Sequence, residues 1–309
     1  MSYNLACLCS LILGFIIGGC STVQFGSRVL KGTVTHHNIE ETSGLAVSRV
    51  HADVIYAHND KGDSSRFYAI NINGGNKLAT FDIRHAQNYD WEDMAVGPCA
   101  DDCASPGACS AEVRPKRYCL YLADTGDHDG AGAMNKIYMV REPSVLRSGE
   151  VDLINTLQFS WTEQDAETLM IDPTGQLYVV SKIHGGRAVL AKIPSSAWGG
   201  PRVALDQAHS GTLKLTTSHN DPQGGDISPD GKEMLLVCED DVYHYNVANL
   251  DYVKAVNSQI PQRIASYSRE HSTEAIAWSP NGSGFYTLPE GKDEKLYFYP
   301  KIPTSPVIG

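Results

Sequence analysis

The stretch Tyr-Asp-Trp-Glu-Asp-Met-Ala-Val-Gly at residues 89–97 is the strongest indication of the fold, because related versions of it recur along the chain. Aligned on Glu92, the five copies span residues 41–48, 90–97, 165–172, 221–228 and 272–279. Each copy is followed by a turn, an aromatic-rich strand signal, a polar loop and another strand signal. Internal repetition at this period indicates a solenoid, an array or a propeller, in which neighbouring units share one core.

The repeats predict an all-β protein, a β-propeller of five four-stranded blades. Turns with Pro early and Gly late fall at the same place in three repeats, at residues 172–175, 228–231 and 279–282. The fifth repeat lacks a fourth strand, while residues 29–35 form a strand signal without a partner. We therefore expect the N-terminal strand to complete the last blade and close the ring. Six blades are the alternative, because the interval between Glu92 and Glu167 exceeds the one before it.

Two details of this prediction concern single elements. We place the fourth strands of the third and fourth repeats at residues 212–216 and 263–267. No amphipathic helix is readable after residue 20, apart from a short turn near residues 195–199.

The first 20 residues read as a signal peptide. The apolar run at residues 5–19 is too short to span a bilayer comfortably and ends in Ile17-Gly18-Gly19-Cys20. This ending resembles the lipobox of bacterial lipoproteins, whose cysteine is lipidated, so Cys20 is the predicted lipidation site. Because no Lys or Arg precedes the apolar run, a plain cleaved secretion signal and a buried N-terminal helix remain alternatives. Residues 21–28 are then a linker, and residues 29–309 form a single propeller domain.

Four cysteines lie in one insertion at residues 99–119, namely Cys99, Cys103, Cys109 and Cys119. In an oxidising compartment they allow three disulfide pairings. A zinc knot is the alternative, although the spacing lacks a Cys-x-x-Cys pair. Cys238 lies in an apolar strand signal, where a small buried thiol is expected.

The charge balance limits the range of partners. A formal net charge of -11 disfavours nucleic acid and anionic membrane surfaces, and no stretch concentrates basic and aromatic residues. We expect a monomer outside the cytoplasm that binds a small molecule, a glycan or a protein on its acidic face. A membrane would be contacted only through the N-terminal lipid. The protein would be lipid-anchored to a bacterial membrane or secreted.

One face of the predicted propeller concentrates acidic residues. In a blade, the start of the first strand and the loop after the second strand lie at the same end. The metal-ligand candidates at the strand starts are Glu41, Asp90, Glu92, Asp165, Glu167 and Glu274. Weaker candidates in the loops are Asn59, Asp60, Asp124 and Asp127. Converging carboxylates repel one another unless a cation neutralises them, and Ca²⁺ is the hard, oxygen-preferring ion that fits this acidic channel mouth best.

Other readings of these acidic residues stay open. They can cap neighbouring backbone amides, or they can link adjacent blades through Arg and Lys. The two acidic loops at residues 59–63 and 124–129 resemble calcium loops, but neither has the closing Glu of an EF-hand.

The same face also carries residues that could act as catalytic groups. Candidates on the same face are Glu92, Glu167, His128, His184 and Lys182, with His219, His271 and Arg66 nearby. A carboxylate or a histidine could act as general base, and Lys182 could hold an anionic group. Since the chain contains no Gly-x-Ser-x-Gly motif, a nucleophilic mechanism has no support.

The motifs Ser-Gly-Leu-Ala (43–46), Asp-Trp-Glu-Asp-Met-Ala (90–95), Ala-Asp-Thr-Gly-Asp (123–127) and Thr-Glu-Ala-Ile-Ala (273–277) look like those of secreted and lipoprotein β-propellers of largely unknown function. More distantly, the chain is similar to phytase-like and gluconolactonase/regucalcin-like propellers. That resemblance implies a divalent cation at the channel mouth. The phosphate clamp of the phytases and the metal ligands of the gluconolactonases have no counterpart here, so neither activity carries over.

Two functions follow from these observations. The first is an extracytoplasmic binding or scaffold propeller with a bound divalent cation, Ca²⁺ before others. The alternative is a metal-dependent hydrolase of phosphate esters or lactones, with Glu92, Glu167 or a histidine as base.

Overall fold

The computed structural model describes residues 22–100, 117–126, 135–217 and 221–303, and these residues form five antiparallel blades. The first strands of the blades contact one another in a closed cycle, from blade 1 through blade 5 and back to blade 1. The chain is therefore a five-bladed β-propeller whose innermost strands surround a central channel.

Two strands precede the first blade, β1 (Gln24–Phe25) and β2 (Val29–Val34). Blade 1 contains β3 (Thr42–Val47), β4 (Val54–Asn59), β5 (Arg66–Asn71) and β6 (Lys77–Arg84). Blade 2 contains β7 (Trp91–Pro98), β8 (Tyr118–Asp124), β9 (Lys136–Arg141) and β10 (Gly149–Ser160). Blade 3 contains β11 (Ala166–Ile171), β12 (Leu177–Ser181), β13 (Val189–Lys192) and β15 (Ser210–Thr212). Between β13 and β15 the chain forms β14 (Val203–Ala204), which pairs with β10 of blade 2.

Blade 4 contains β16 (Gly224–Ile227), β17 (Glu233–Val237), β18 (Val242–Asn246) and β19 (Gln262–Arg263), with the helix α1 (Tyr252–Ser258) before β19. Blade 5 contains β20 (Ala275–Trp278), β21 (Gly284–Leu288) and β22 (Glu294–Ile302). Blades 1 and 2 form one continuous sheet, because β6 and β10 pair in parallel from Gly149 opposite Phe81 to Asp152 opposite Arg84.

The N-terminal strand closes the ring, as the repeat pattern predicts. Strand β2 pairs antiparallel with β22, from Val29 opposite Phe298 to Val34 opposite Glu294. The shorter β1 pairs with the C-terminal end of β22, with Gln24 opposite Ile302. The last blade therefore takes strands from both termini of the domain, and its sheet presents no open edge at β22.

Apolar side chains between neighbouring blades hold the ring together. The buried residues form five clusters, and each cluster joins two adjacent blades, including the closing pair of blades 5 and 1. The largest fully buried side chains include Trp91 in blade 2 and Trp278 in blade 5. One such cluster at every interface is what a closed ring of repeats requires.

Two aspartates, the buried Asp93 and the half-buried Asp226, link first strands that do not pair with each other. Asp93 in β7 accepts a hydrogen bond from the amide of Leu169 in β11 at 2.8 Å. Asp226 in β16 accepts one from the amide of Trp278 in β20 at 2.7 Å. Each carboxylate thus satisfies a backbone donor of the next blade that would otherwise face the channel unpaired.

The cysteines agree with the predicted disulfide insertion as far as they are described. Cys99, after β7, and Cys119, in β8, form a disulfide with a Cα–Cα distance of 4.9 Å. Cys103 and Cys109 lie outside the described residues, as does Cys20. Cys238 is a free and buried thiol, as expected for its strand.

Three predictions about single elements need correction or adjustment. The sequence predicts no amphipathic helix after residue 20, whereas Tyr252–Ser258 forms a short one, capped by the side chain of Asp251 on the amide of Lys254. The fourth strand of blade 3 ends at Thr212, where the prediction began it, and that of blade 4 is only Gln262–Arg263. The helix replaces most of an outer strand in blade 4, and its buried face packs on β13 and β15 of blade 3. The turn near residue 195 is present as a single 3-10 turn at Ser195–Ala197.

Candidate functional site

In the blades, the start of the first strand and the loop after the second strand lie at the same end of the channel. In blade 1 the amide of Asp60, which follows β4, donates to the carbonyl of Glu41, which precedes β3, at 2.8 Å. In blade 3 the amide of Lys182 donates to the carbonyl of Asp165 at 2.8 Å. This repeated backbone contact places the start of the first strand beside the loop after the second strand.

A polar cavity of about 120 Å³ lies where these segments converge. We name it the acidic mouth and define it by its lining residues, which are Asp60, Lys61, Asp90, Glu92, Asp165, Glu167, Lys182 and Glu274. Six carboxylates therefore share the cavity with two ammonium groups. The structure brings together five of the six main metal-ligand candidates, together with Asp60 from the weaker set.

Glu92 occupies the centre of the acidic mouth. It belongs to β7 and is 6 % exposed. In the part of the chain that the structure describes, its carboxylate has neither a hydrogen-bond donor nor an ion-pair partner, although it lines the cavity. Behind it lies Gly126, where an added Cβ would come within 2.2 Å of Glu92 Oε1. The sequence thus leaves room for this side chain, and the fold buries it without a partner.

Carboxylate oxygens form two groups that share Glu92. Single oxygens of Asp60, Asp90 and Glu92 lie within 4.8 Å of one another, and so do oxygens of Glu92, Asp165 and Glu167. Oxygen donors at this spacing, together with backbone carbonyls and water, are the ligands that a Ca²⁺-like hard cation takes. The donor set of the acidic mouth therefore fits such an ion.

The two lysines of the acidic mouth differ in their contacts. Lys182 Nζ lies 2.6 Å from Glu167 Oε1 and 3.5 Å from Asp165 Oδ2, and its side chain is 19 % exposed. Lys61 Nζ lies 3.4 Å from Asp90 Oδ2, and its side chain is 62 % exposed. Lys182 is thus an inner partner of two carboxylates, while Lys61 lies at the rim.

Burial and mutual repulsion raise the pKa values of the glutamates around the mouth. Burial, followed by the charge of Glu167, raises the pKa of Glu92 well above its usual range. Burial raises the pKa of Glu167, and the charges of Glu274 and Asp165 add to this effect, while the ammonium group of Lys182 opposes it. Burial and the charge of Asp60 raise the pKa of Glu274 to about 7. Burial and Glu274 likewise raise the pKa of Glu290, at the edge of the mouth, to about 8.

The remaining two blades place neutral side chains at the position of Glu92. Ser43 in blade 1 donates its hydroxyl to the backbone carbonyl of Glu92 and, at 3.1 Å, to Glu274 Oε2. Gln223 in blade 4 has a buried amide oxygen without a hydrogen-bond donor among the described residues. The ring of equivalent positions is therefore Ser43, Glu92, Glu167, Gln223 and Glu274.

Two of the weaker ligand candidates hold the backbone instead. The side-chain oxygen of Asn59 accepts from the amides of Glu40 and Glu41, both at 3.3 Å. Asp124 accepts from the amide of Asp90 at 2.9 Å. Capping of neighbouring amides, one of the alternatives that the sequence left open, accounts for both residues.

Other candidates do not line the acidic mouth. Glu41, His184 and His271 are exposed and do not line it. Arg66 is paired with Asp63, its nearest atom lying 2.5 Å from that carboxylate. Asp127, His128 and His219 lie outside the described residues.

Sequence reasoning missed three contributors to this site. Lys61 directly follows the candidate Asp60, but a single lysine in a polar loop gives no signal by itself. Ser43 stands in the repeat alignment at the position of Glu92, and that position is the signal that could have identified it. The role of Gly126 depends on the close approach of two loops, which only the structure shows.

Comparisons with known proteins extend to the fold only. No protein-family model and no curated protein matches the chain. Its structure is similar to that of the PQQ-bound aldose sugar dehydrogenase from Streptomyces coelicolor, with a TM-score of 0.49 and 11% identity over 90% of this chain and 98% of that one. It is also similar to hydrazine synthase from Kuenenia stuttgartiensis, with a TM-score of 0.44 and 10% identity over 85% and 84%. Within the described ranges, no helix is long and apolar enough to cross a membrane.

Proposed function

We propose that this protein is an extracytoplasmic β-propeller that binds a divalent cation, Ca²⁺ before other ions, in the acidic mouth and uses that face to bind a partner. The partner is a small molecule, a glycan or a protein. The carboxylates hold the ion, and the surrounding loops form the recognition surface.

The buried and unpartnered carboxylate of Glu92 is the observation that carries this proposal. Burying an ionised carboxylate without a partner costs on the order of several kcal/mol of desolvation free energy. The cost falls when the carboxylate takes up a proton or when a cation binds to it. Four further carboxylates supply oxygens within 4.8 Å in the two groups that share Glu92. A divalent cation would satisfy Glu92 and relieve the repulsion among its neighbours at the same time.

The proposed location outside the cytoplasm is supported by the N-terminal sequence and by a disulfide bond. The N-terminal 20 residues read as an export signal, and Cys99 is joined to Cys119. Structural disulfides persist in oxidising compartments. If Cys20 is lipidated, a Cys20→Ala variant expressed in a bacterium should lose incorporation of labelled fatty acid and leave the membrane fraction. Unchanged labelling would contradict lipidation at Cys20.

A metal-dependent hydrolase is the second candidate, and the position of Lys61 favours it. This mostly exposed ammonium group lies at the rim of the cavity, beside the carboxylates that would hold the ion. A cation and a nearby ammonium group can together bind a phosphate ester or polarise a lactone. A screen of both substrate classes with the bound ion tests this candidate. Turnover that is abolished in a folded Glu92→Gln variant would identify an enzyme, and binding without turnover would identify a scaffold.

Thermal unfolding tests the cation site. The protein is treated with a chelator, and Ca²⁺, Mg²⁺, Mn²⁺ or Zn²⁺ is then added separately. An ion at about a hundred times its dissociation constant should stabilise the fold by roughly 2.7 kcal/mol, which raises the melting temperature by about 5 °C or more. The rise should be lost in Glu92→Gln. The absence of a rise with every ion would contradict the proposal.

A further inference from the structure

We infer that Lys182 is an internal counter-cation that fills one half of the acidic mouth, so that a single divalent ion binds in the other half, at Asp60, Asp90 and Glu92. This inference rests on the proposed cation site and assigns its position and stoichiometry. It also assigns a latent second site, at Glu92, Asp165 and Glu167, which opens when the charge of Lys182 is removed.

Lys182 has the same place in blade 3 as Asp60 has in blade 1. Each residue directly follows the second strand of its blade, and each donates its amide at 2.8 Å to the residue that precedes the first strand. Glu290 has the corresponding contact in blade 5, where its amide donates to the carbonyl of Ser272 at 2.9 Å. Where blades 1 and 5 present a carboxylate to the channel end, blade 3 therefore presents an ammonium group.

The contacts of Lys182 show that its ammonium group offsets part of the negative charge of the blade 3 half. Its 2.6 Å contact with Glu167 is a charge-assisted hydrogen bond of the strong kind, and Asp165 lies within ion-pair distance. The side chains of Glu167 and Asp165 are only 3 % and 6 % exposed. An ion entering here would have to displace a largely buried lysine from two buried carboxylates, which costs far more than moving a surface side chain.

The blade 1 and 2 half has no comparable inner cation among the described residues. Lys61 contacts Asp90 at 3.4 Å, but its side chain is 62 % exposed, so it can turn into solvent with little loss. The unpartnered carboxylate of Glu92 completes this half. A divalent ion therefore meets less competition at Asp60, Asp90 and Glu92 than on the opposite side of the mouth.

Calcium titration of the chelated full-length protein tests the stoichiometry. Calorimetry should give one site in the wild-type protein and two sites in Lys182→Met, which keeps the length of the side chain but removes its charge. The matched control is Lys61→Met, which should keep one site. It should bind Ca²⁺ about two- to fivefold more tightly, because it removes a positive charge beside Asp90, and the effect should be small because that charge is exposed. One site in Lys182→Met, or two sites in the wild-type protein, would overturn the inference.

A second pair of variants tests the position without altering Lys182. Asp60→Asn should weaken calcium binding at least tenfold, whereas Asp165→Asn should change it less than threefold. Equal losses in the two variants, or a larger loss in Asp165→Asn, would overturn the assignment while leaving the proposed cation site intact. If the folded wild-type protein binds no calcium, the proposed function fails, and this inference fails with it.

Discussion

Glu92 is the residue that joins the two halves of the acidic mouth, and its burial depends on a glycine in the neighbouring loop. An added Cβ at Gly126 would lie 2.2 Å from Glu92 Oε1 and 2.4 Å from the carboxyl carbon of Asp90. Both contacts are with the ends of flexible side chains, which can move aside. Gly126 therefore allows the carboxylates to occupy their positions without being needed for the fold.

We predict that Gly126→Ala weakens cation binding at least tenfold and changes the free energy of unfolding in chelator by less than about 1 kcal/mol. The methyl group would displace two proposed ligands, Glu92 and Asp90. Calcium titration and urea unfolding measure the two effects. The matched control is Gly97→Ala in the same strand as Glu92, where the atoms nearest to the new Cβ belong to the Ile171 side chain, the closest at 2.7 Å. That variant should lose stability and keep its calcium affinity, and the opposite pattern would contradict this role for Gly126.

Asp226 links blades 4 and 5 and also makes the stability of the fold depend on pH. Burial raises the pKa of Asp226 from 3.8 to about 6, although the amides of Trp278 and Ile227 and the charge of Arg49 oppose the shift. The folded state thus keeps a proton that the unfolded state releases at lower pH. The stabilising contribution of this proton is complete below about pH 4 and is lost as the pH rises through 6.

We compare the free energy of unfolding of the wild-type protein with that of Asp226→Asn. We predict that the wild-type protein loses on the order of 2 kcal/mol relative to the variant between pH 4 and pH 7. The asparagine keeps an acceptor for the Trp278 amide but does not titrate. Urea unfolding of both proteins at several pH values gives the difference, in which the effects of other titrating groups largely cancel. Two parallel stability curves would show that the folded protein does not raise the pKa of Asp226.

At the scale of single elements, strand β2 determines whether the ring closes. It pairs with β22 in blade 5, and its backbone also contacts blade 1, where the amide of Gly74 donates to the carbonyl of Lys31 at 2.8 Å. This approach requires a glycine, because a Cβ at Gly32 would lie 2.2 Å from the carbonyl carbon of Gly74. Unlike the contact at Gly126, this one is with backbone, which cannot move aside cheaply.

We predict that Gly32→Ala destabilises the protein by about 1 to 3 kcal/mol, because the methyl group separates β2 from blade 1. The control is Leu30→Ala in the same strand, where the side chain is 53 % exposed and the change should stay within about 0.5 kcal/mol. Urea unfolding compares the two variants with the wild-type protein. Equal stability of Gly32→Ala and Leu30→Ala would show that the contact between β2 and blade 1 does not hold the ring closed.

The elements that sequence reasoning predicted well are those that the repeat specifies. Closure by β2 followed from an unpaired strand signal at one end and a missing strand at the other. Helix α1 was missed although it carries signals, an Asp251 cap and buried residues at Tyr252, Ala255 and Val256. Its seven residues are too few for the helical period to stand out, so packing against blade 3 decides its structure.

At the scale of the whole molecule, the closed ring explains why residues far apart in sequence meet at one end of the channel. Repetition fixes which positions of each blade face that end, and this could be predicted from the sequence. Pairings between particular side chains could not, because they depend on how neighbouring blades approach one another. Lys182 is an example. The sequence shows that a lysine occupies this position of the repeat, but it does not predict that the lysine contacts Asp165 and Glu167.

The most direct measurement is an anomalous difference map from crystals of the full-length protein, chelated and then soaked separately in calcium and manganese salts. We expect one peak in the acidic mouth, bound by oxygens of Asp60, Asp90 and Glu92 at about 2.0 to 2.6 Å, with Lys182 still in contact with Glu167. A well-ordered mouth without a peak, in which the carboxylates contact only lysines and water, would contradict the cation site. The acidic residues would then be structural.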